Sequence, residues 1–316
     1  MLYLKDSPLD KIVSMAEAIG AIEDALKEKA LGRAFELPRR RIHHPNRMLF
    51  GLLPGSVRGA MGAYLQTDLD RRLHHESVIL FSVENGEPLI LFQNCCINEL
   101  RTGAAGGLGA KYLARKNACR VAVIGSAVHA EMQLKAVAAV RSLASVVVFS
   151  PNAAHRDEFA KKMSAELQLE VKAANNAEAA TNGVDIVIMA TNSKTPVLDG
   201  NRLAEGIHIT SIANGDKTRT RQEVDELTLR RAQRIFVTSK ETVETNQSDL
   251  FRAARDGIIA WDNVHEISSL ILGNVDGRRN DGEITLFKLQ GTGMMDVAVG
   301  LRAYELLKDS GLVQRL

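Results

Sequence analysis

From Arg120 to Val140 the chain reads RVAVIGSAVHAEMQLKAVAAV. Four apolar residues, Val121-Ala122-Val123-Ile124, run into Gly125-Ser126-Ala127-Val128-His129-Ala130, and Met132 to Val140 has the character of a helix. A buried strand that breaks on glycine and turns at once into a helix aims unpaired N–H groups, and the positive end of the helix dipole, at whatever lies over the turn. A pyrophosphate is the usual occupant. The turn is a relaxed G-x-A-x-x-A form of the dinucleotide fingerprint G-x-G-x-x-G, and alanine still permits close approach of backbone and helix. Alone, the motif also suits an ordinary strand–helix turn, so its weight comes from its surroundings.

Those surroundings repeat the pattern. Ser145-Val146-Val147-Val148-Phe149 is a second β-branched strand, and Ala153 to Leu167 reads as a helix with Phe159, Met163 and Leu167 on one face. Val184 to Ala190, His208 to Ile212 and Arg234 to Thr238 look like further strands. Strands alternating with helices over more than a hundred residues predict an α/β fold with an open, Rossmann-type doubly wound parallel sheet. Ligands of such sheets lie beyond the carboxyl ends of the strands, where Gly125, Ser150, Thr191 and Ala213 all fall.

An NAD site usually holds a carboxylate at the tip of the second strand, accepting from the ribose 2′-hydroxyl. Here the tip is Ser150-Pro151-Asn152, with Arg156 close behind. A neutral tip beside a guanidinium suits a 2′-phosphate, so NADP(H) is expected ahead of NAD(H), unless Arg156 is simply a solvated helix residue.

Composition bounds the rest. A chain of 316 residues that is 45% apolar can bury a large core, and two domains are expected at this length. The net charge of +2 gives no electrostatic case for nucleic acid or an anionic membrane. The N-terminus, Met1-Leu2-Tyr3-Leu4-Lys5-Asp6, does not resemble a signal peptide, and no apolar run reaches membrane-spanning length. Cys95, Cys96 and Cys119 lack metal-type spacing, which fits a reducing cytoplasm with all three as core residues.

The first third differs in texture. Asp10 to Leu31 has Ile12, Met15, Ile19, Ile22 and Leu26 at helical spacing. Strand-like pieces follow at Met48 to Phe50, Ala60 to Thr67, Ser77 to Val83 and Pro88 to Phe92. The last two flank Asn85-Gly86, a strong hairpin signal. A mostly antiparallel sheet is expected, followed by a Gly/Ala-rich helix from Asn98 to Ala114.

Arg101-Thr102-Gly103-Ala104-Ala105, Ala110-Lys111-Tyr112-Leu113-Ala114-Arg115 and the Gly125 turn, taken together, resemble the ornithine cyclodeaminase/μ-crystallin family. Asp185-Ile186-Val187, Ala190-Thr191-Asn192-Ser193, Pro196-Val197-Leu198, Gly206 to Ile209, Gln222-Glu223-Val224-Asp225 and Glu283 to Lys288 extend the likeness over nearly the whole chain. The resemblance implies a substrate-binding and dimerisation domain (residues 1–116 and 293–316), a dinucleotide domain (residues 117–292) and a homodimer joined through the substrate-domain sheets. It implies hydride transfer between a nicotinamide and the α-carbon of an amino or imino acid. With the turn and the strand tips read above, Thr102, Gly125, Ser126, Ala127, Val128, His129, Ser150, Asn152, Arg156, Thr191, Asn192, Ala213 and Lys288 are the positions expected at the cofactor.

Such chemistry needs a cation for the substrate carboxylate, and a guanidinium can hold it by two parallel hydrogen bonds. Arg101 matches the family's arginine, and Arg41, within Arg39-Arg40-Arg41, sits where a second one is expected; the alternative for that triplet is a solvated basic turn. Two departures stand out. Gly62-Ala63-Tyr64 occupies the place of the family's Gly-Val-Lys, so Tyr64 replaces a lysine near the reacting carbon. Its hydroxyl either donates to the carboxylate, transfers a proton, or merely fills space. Asp216 is the nearest counterpart of the aspartate that activates the amine or water in cyclising members, but it could equally form a surface ion pair with Lys217 and Arg219.

His43-His44 and His74-His75 do not make a metal site, because adjacent strand residues point to opposite faces. His75 is a candidate proton donor, and Asp68, Asp70 and Glu76 are candidates to read a polar substrate tail. The expectation is therefore an NAD(P)H-dependent oxidoreductase acting on a small imino or keto acid and its amino acid. The alternatives are an ammonia lyase that recycles bound NAD, and a protein that binds a nucleotide or small ligand without turnover.

Overall fold

A computed structural model describes residues 1–69, 73–215 and 220–316, and the chain divides into two compact units, Met1–Arg101 with Gly291–Leu316, and Thr102–Gln290.

The first unit is built on one sheet. Its strands are β1 (Leu2–Lys5), β2 (Phe35–Glu36), β3 (Arg40–His43), β4 (Met48–Val57), β5 (Ala60–Leu69), β6 (Leu73–Ser82) and β7 (Pro88–Gln93). Helix α1 spans Met15–Ala30 and not the expected Asp10 to Leu31, because Ser14 and Glu17 form a capping box that starts the helix there. The chain's last elements, α10 (Gly293–Leu307) and β16 (Gln314–Arg315), return to this unit, giving the order β16-β1-β7-β6-β5-β4-β2 with β3 also on β4. One cross-strand row, Leu53, Tyr64, Val78 and Phe92, is buried throughout. Gly300 of α10 lies against Val78, Leu80 and Phe92, which puts the helix on that face. The other face carries a groove of about 430 Å³ between Phe35, Leu37, Met61, Ile79 and Phe81, with Phe35 62% and Leu37 61% exposed.

Helix α2 (Ile97–Leu113) contains the division between the units. The expected boundary at residue 116 lies beyond it. From Thr102 on, α2 packs within the second unit so tightly that a Cβ on Gly106 or Gly109 would overlap the Gln133 side chain or the Phe287 ring.

In the second unit, β8 (Arg120–Ile124), α3 (Val128–Val140), β9 (Ser145–Phe149), α4 (Ala153–Leu167), β10 (Val171–Ala173), α5 (Ala177–Thr181), β11 (Ile186–Met189) and β12 (His208–Ser211) follow in turn. Then come α6 (Glu226–Arg231), β13 (Arg234–Val237), α7 (Lys240–Asn246), α8 (Asp249–Arg255), β14 (Val264–Glu266), α9 (Ile267–Ile271) and β15 (Thr285–Lys288). Every pairing is parallel, in the order β10-β9-β8-β11-β12-β15-β13-β14. The order reverses at β8, the doubly wound arrangement expected, with apolar clusters covering both sheet faces. Only Cys95 of the three cysteines is a core residue; Cys119 is half-buried and Cys96 is exposed. No helix among the described residues is long and apolar enough to cross a membrane.

Candidate functional site

In the second unit the strand-crest positions expected for a nucleotide come together. Gly125 leaves β8 at φ +120, and a Cβ there would overlap the Ala190 carbonyl oxygen at the end of the neighbouring β11. Only glycine fits that close approach. Helix α3 begins with Ala127 as N-cap and has no side-chain cap; the Ala127 carbonyl accepts from Ala130 N and Glu131 N, and the positive end of the helix faces the turn. Val128 beside it is 41% exposed. A tight glycine turn that leads a buried strand straight into a helix start is the local geometry an anionic diphosphate needs, and in this the residues fit a dinucleotide.

The neighbouring crests are held from below. Glu223, fully buried, accepts from Thr191 N (2.6 Å), Thr191 Oγ1 (2.8 Å), Ser211 Oγ (2.7 Å) and Ala213 N (3.0 Å). Burial pushes its carboxyl up, and the Lys288 charge opposes that. Lys288, expected at the cofactor, is itself fully buried: its Nζ donates to Ser211 Oγ (3.0 Å) and the Ala213 carbonyl and pairs with Asp249 Oδ2 at 2.8 Å. These contacts brace the crest from beneath. Asn152 caps α4 by accepting from His155 N at 3.1 Å. Arg156 folds back over the same tip, donating to the Ser150 carbonyl at 3.3 Å, while its buried Nε has no hydrogen-bond partner. Asn192 is exposed, and His129 is half-buried in the first turn of α3. Thr102 is buried, and its carbonyl accepts from Gln133 Nε2 at 2.6 Å.

In the first unit a buried polar cluster surrounds Arg101. The arginine is 3% exposed, and its Nε donates to Asp296 Oδ1 at 2.9 Å. Gly291 lies so close that a Cβ there would collide with the guanidinium. Burial works against the Arg101 charge, and Asp296 more than offsets it, so the arginine titrates above its usual range. Asp296 is raised by burial, which Arg101 and Arg39 counter; its Oδ2 is buried without a hydrogen-bond partner. Tyr64, 1% exposed, has its phenol pushed up, first by burial and then by the Glu76 and Asp296 charges. Its hydroxyl hydrogen-bonds the Glu76 carboxyl.

The arginine triplet resolves into three roles. Arg40 is exposed, Arg41 half-buried, and Arg39 is the one whose charge senses Tyr64, Arg101 and Asp296. Desolvation, then the charges of Arg41 and Arg101, lower Arg39 to about 10, so it stays cationic at neutral pH. Arg39 was missed because three consecutive arginines in one strand approach leave the register open. Asp296 was missed as well, although its signal is visible: a single carboxylate inside the apolar run Met294-Met295-Asp296-Val297. His75 is exposed on β6, away from the buried cluster's side chains. Asp216 and Asp70 lie outside the described residues.

Comparison with known proteins agrees with this geometry. A solved Thermococcus litoralis Δ1-pyrroline-2-carboxylate reductase, in complex with NADH and L-proline, superposes with a TM-score of 0.92 at 31% identity, covering 100% of both chains. An archaeal alanine dehydrogenase dimer with bound NAD gives 0.89 at 30% identity, covering 100% of this chain and 98% of that one. A Δ1-pyrroline-2-carboxylate reductase of Bacillus cereus is 28% identical over 100% of this chain and 99% of its own length. The model of the ornithine cyclodeaminase/mu-crystallin family matches residues 4–311, and with nucleotide cradle, buried arginine and two-unit fold all in place, the chain belongs to that family.

Proposed function

We propose that the chain is an NAD(P)H-dependent oxidoreductase that interconverts a small imino acid and the corresponding amino acid. The uncapped start of α3 over Gly125, at the crest of a doubly wound parallel sheet where its strand order reverses, carries this reading. When bound, the nicotinamide gives or takes a hydride at the α-carbon. The chain's own work is to hold the diphosphate on the α3 N–H groups and to bind the substrate carboxylate through Arg101, with Arg39 or Arg41 as the second cation. Tyr64 faces the reacting C–N bond as hydrogen-bond or proton donor. The relatives that act on a five-membered cyclic imino acid make that compound class the first to test.

The finer assignments follow the same residues. NADP(H) is favoured over NAD(H) because Ser150-Pro151-Asn152 at the β9 tip carries no carboxylate and the Arg156 guanidinium, which also pairs with Asp157 at 4.0 Å, lies there. A homodimer through the apolar sheet face of Phe35, Leu37 and Met61 would cover surface that a monomer exposes to water. The two adjacent cysteines without a disulfide suit the cytoplasm. The test is a panel of cyclic imino acids, and of 2-oxo acids with ammonia, read at the nicotinamide absorbance. A stoichiometric loss of reduced cofactor supports the reading; ammonia release from a diamino acid with no net absorbance change would replace it by the lyase.

A further inference from the structure

Tyr64 and Glu76 stand on adjacent strands of one sheet, one diagonal step apart on the same face, since Tyr64 opposes Val78 and Glu76 opposes Gln66. Both are buried, and phenol and carboxyl hydrogen-bond each other. The second carboxyl oxygen, Oε2, is buried and has no hydrogen-bond partner. Charged and titratable groups face the pair from every side: Glu99 and Arg101 from α2, Asp296 from α10, Arg39 from the segment before β3, and Cys95 and Cys96 from the segment between β7 and α2. An ionised Glu76 would leave a bare oxygen among two further carboxylates, a costly arrangement away from water. A protonated Glu76 needs a single acceptor, and the Tyr64 oxygen is that acceptor.

This inference rests on the imine-reducing function proposed above. We infer that Glu76 is a positioning residue that acts through Tyr64 as the proton reservoir of the reaction. As hydride arrives at the α-carbon, the C=N π pair moves to nitrogen, which takes the phenol proton. The Tyr64 oxygen takes the carboxyl proton in the same event, and Glu76 is left as carboxylate until water reloads it. In the oxidative direction each transfer reverses. Burial and then the Glu99 charge push the Glu76 carboxyl up to about 7, against the pull of the Tyr64 hydrogen bond, so the pair holds one movable proton near neutrality.

The experiment compares kcat/KM for reduction of a cyclic imino acid against pH in the wild type, Glu76→Gln, Glu76→Asp and Tyr64→Phe, with infrared titration of the carboxyl stretch alongside. In the wild type the rate falls as pH rises through about 7. Glu76→Gln removes that limb and lowers the plateau about 100-fold, in the range of a lost general acid; Glu76→Asp restores a limb, and Tyr64→Phe loses it. The substrate's own ionisation is common to all four proteins and cancels in the comparison. The infrared band of a protonated carboxyl titrates near pH 7 in the wild type and is missing from a folded Glu76→Gln. A Gln variant that keeps the limb, or a wild type with no carboxyl titrating there, overturns the inference alone. A wild type inert toward every imino acid removes the functional reading beneath it instead.

Discussion

Replacing Gly125 by alanine isolates the nucleotide cradle. Two costs add. The backbone at φ +120 is strained for any side chain, worth about 1–3 kcal/mol. The new methyl would also sit under 3.0 Å from the Ala190 carbonyl oxygen, and a backbone carbonyl just past the end of β11 cannot swing aside as a flexible side chain would. For a unit of this size each kcal/mol lowers Tm by about 2–4 °C, so the strain alone predicts a fall of about 2–12 °C. Any spreading of the two strand ends also displaces the first turn of α3, and losing one charge-assisted hydrogen bond to a diphosphate costs about 1.5–3 kcal/mol, or roughly 10- to 150-fold in Kd. Gly183→Ala is the control: that glycine is also at positive φ, +70, but its Cβ would meet nothing within 4 Å. It should lower Tm while leaving nicotinamide affinity unchanged. The assays are thermal unfolding and fluorescence titration with reduced cofactor. Should Gly125→Ala bind cofactor as tightly as Gly183→Ala does, the cradle is not where the diphosphate sits.

Arg101→Lys keeps a charge for Asp296 but loses the planar fork, so steady-state kinetics should show a rise in substrate KM of about tenfold or more with cofactor affinity unchanged. Arg156→Ala should weaken NADPH and spare NADH; equal effects on the two in parallel titrations would count against a 2′-phosphate contact. Lys288→Met removes the partner of the buried Asp249 carboxylate and should cost about 3–5 kcal/mol in urea unfolding, whereas a neutral result would mean that the ion pair does not hold the crest. His208 is buried between Thr210 and Thr285, and burial lowers its imidazole to about 3 from 6.5. The unfolded chain therefore binds a proton that the fold refuses, so the urea midpoint should fall as pH drops from 6.5 toward 3, and a flat profile there would contradict its neutral burial.

The Rossmann half is legible because its buried strands are nearly pure β-branched runs, and Val121–Ile124 and Val146–Val148 admit no other reading. The antiparallel sheet is less so. Strands β4 to β6 run ten residues each, well past the apolar pieces, because Gly51, Pro54, Gln66 and His74-His75 interrupt the pattern while the ladder continues through them. Strand β15 carries Thr285 and Lys288 in the middle of a sheet, and nothing in a local window says that Ser211, Ala213 and Asp249 will meet that ammonium. The site follows the same division. Gly125 announces itself through its turn, and Arg101 through its neighbours in a family motif. Glu76 and Asp296 can be picked out along the chain, but that they and Arg39 meet around Tyr64 is a matter of tertiary placement that spacing does not encode.

The position of β15 has a consequence for biosynthesis. It inserts between β12 and β13, although both are complete some fifty or more residues of synthesis earlier in the first case and tens of residues in the second, at Ser211 and Val237 against Thr285. Until Lys288 leaves the ribosome the central layer is two half-sheets with raw inner edges, and until α10 follows the antiparallel half lacks its lid. The antiparallel half of the nascent polypeptide cannot mature ahead of the parallel one, so truncation before β15 should yield chaperone-bound, protease-sensitive fragments and no autonomous module.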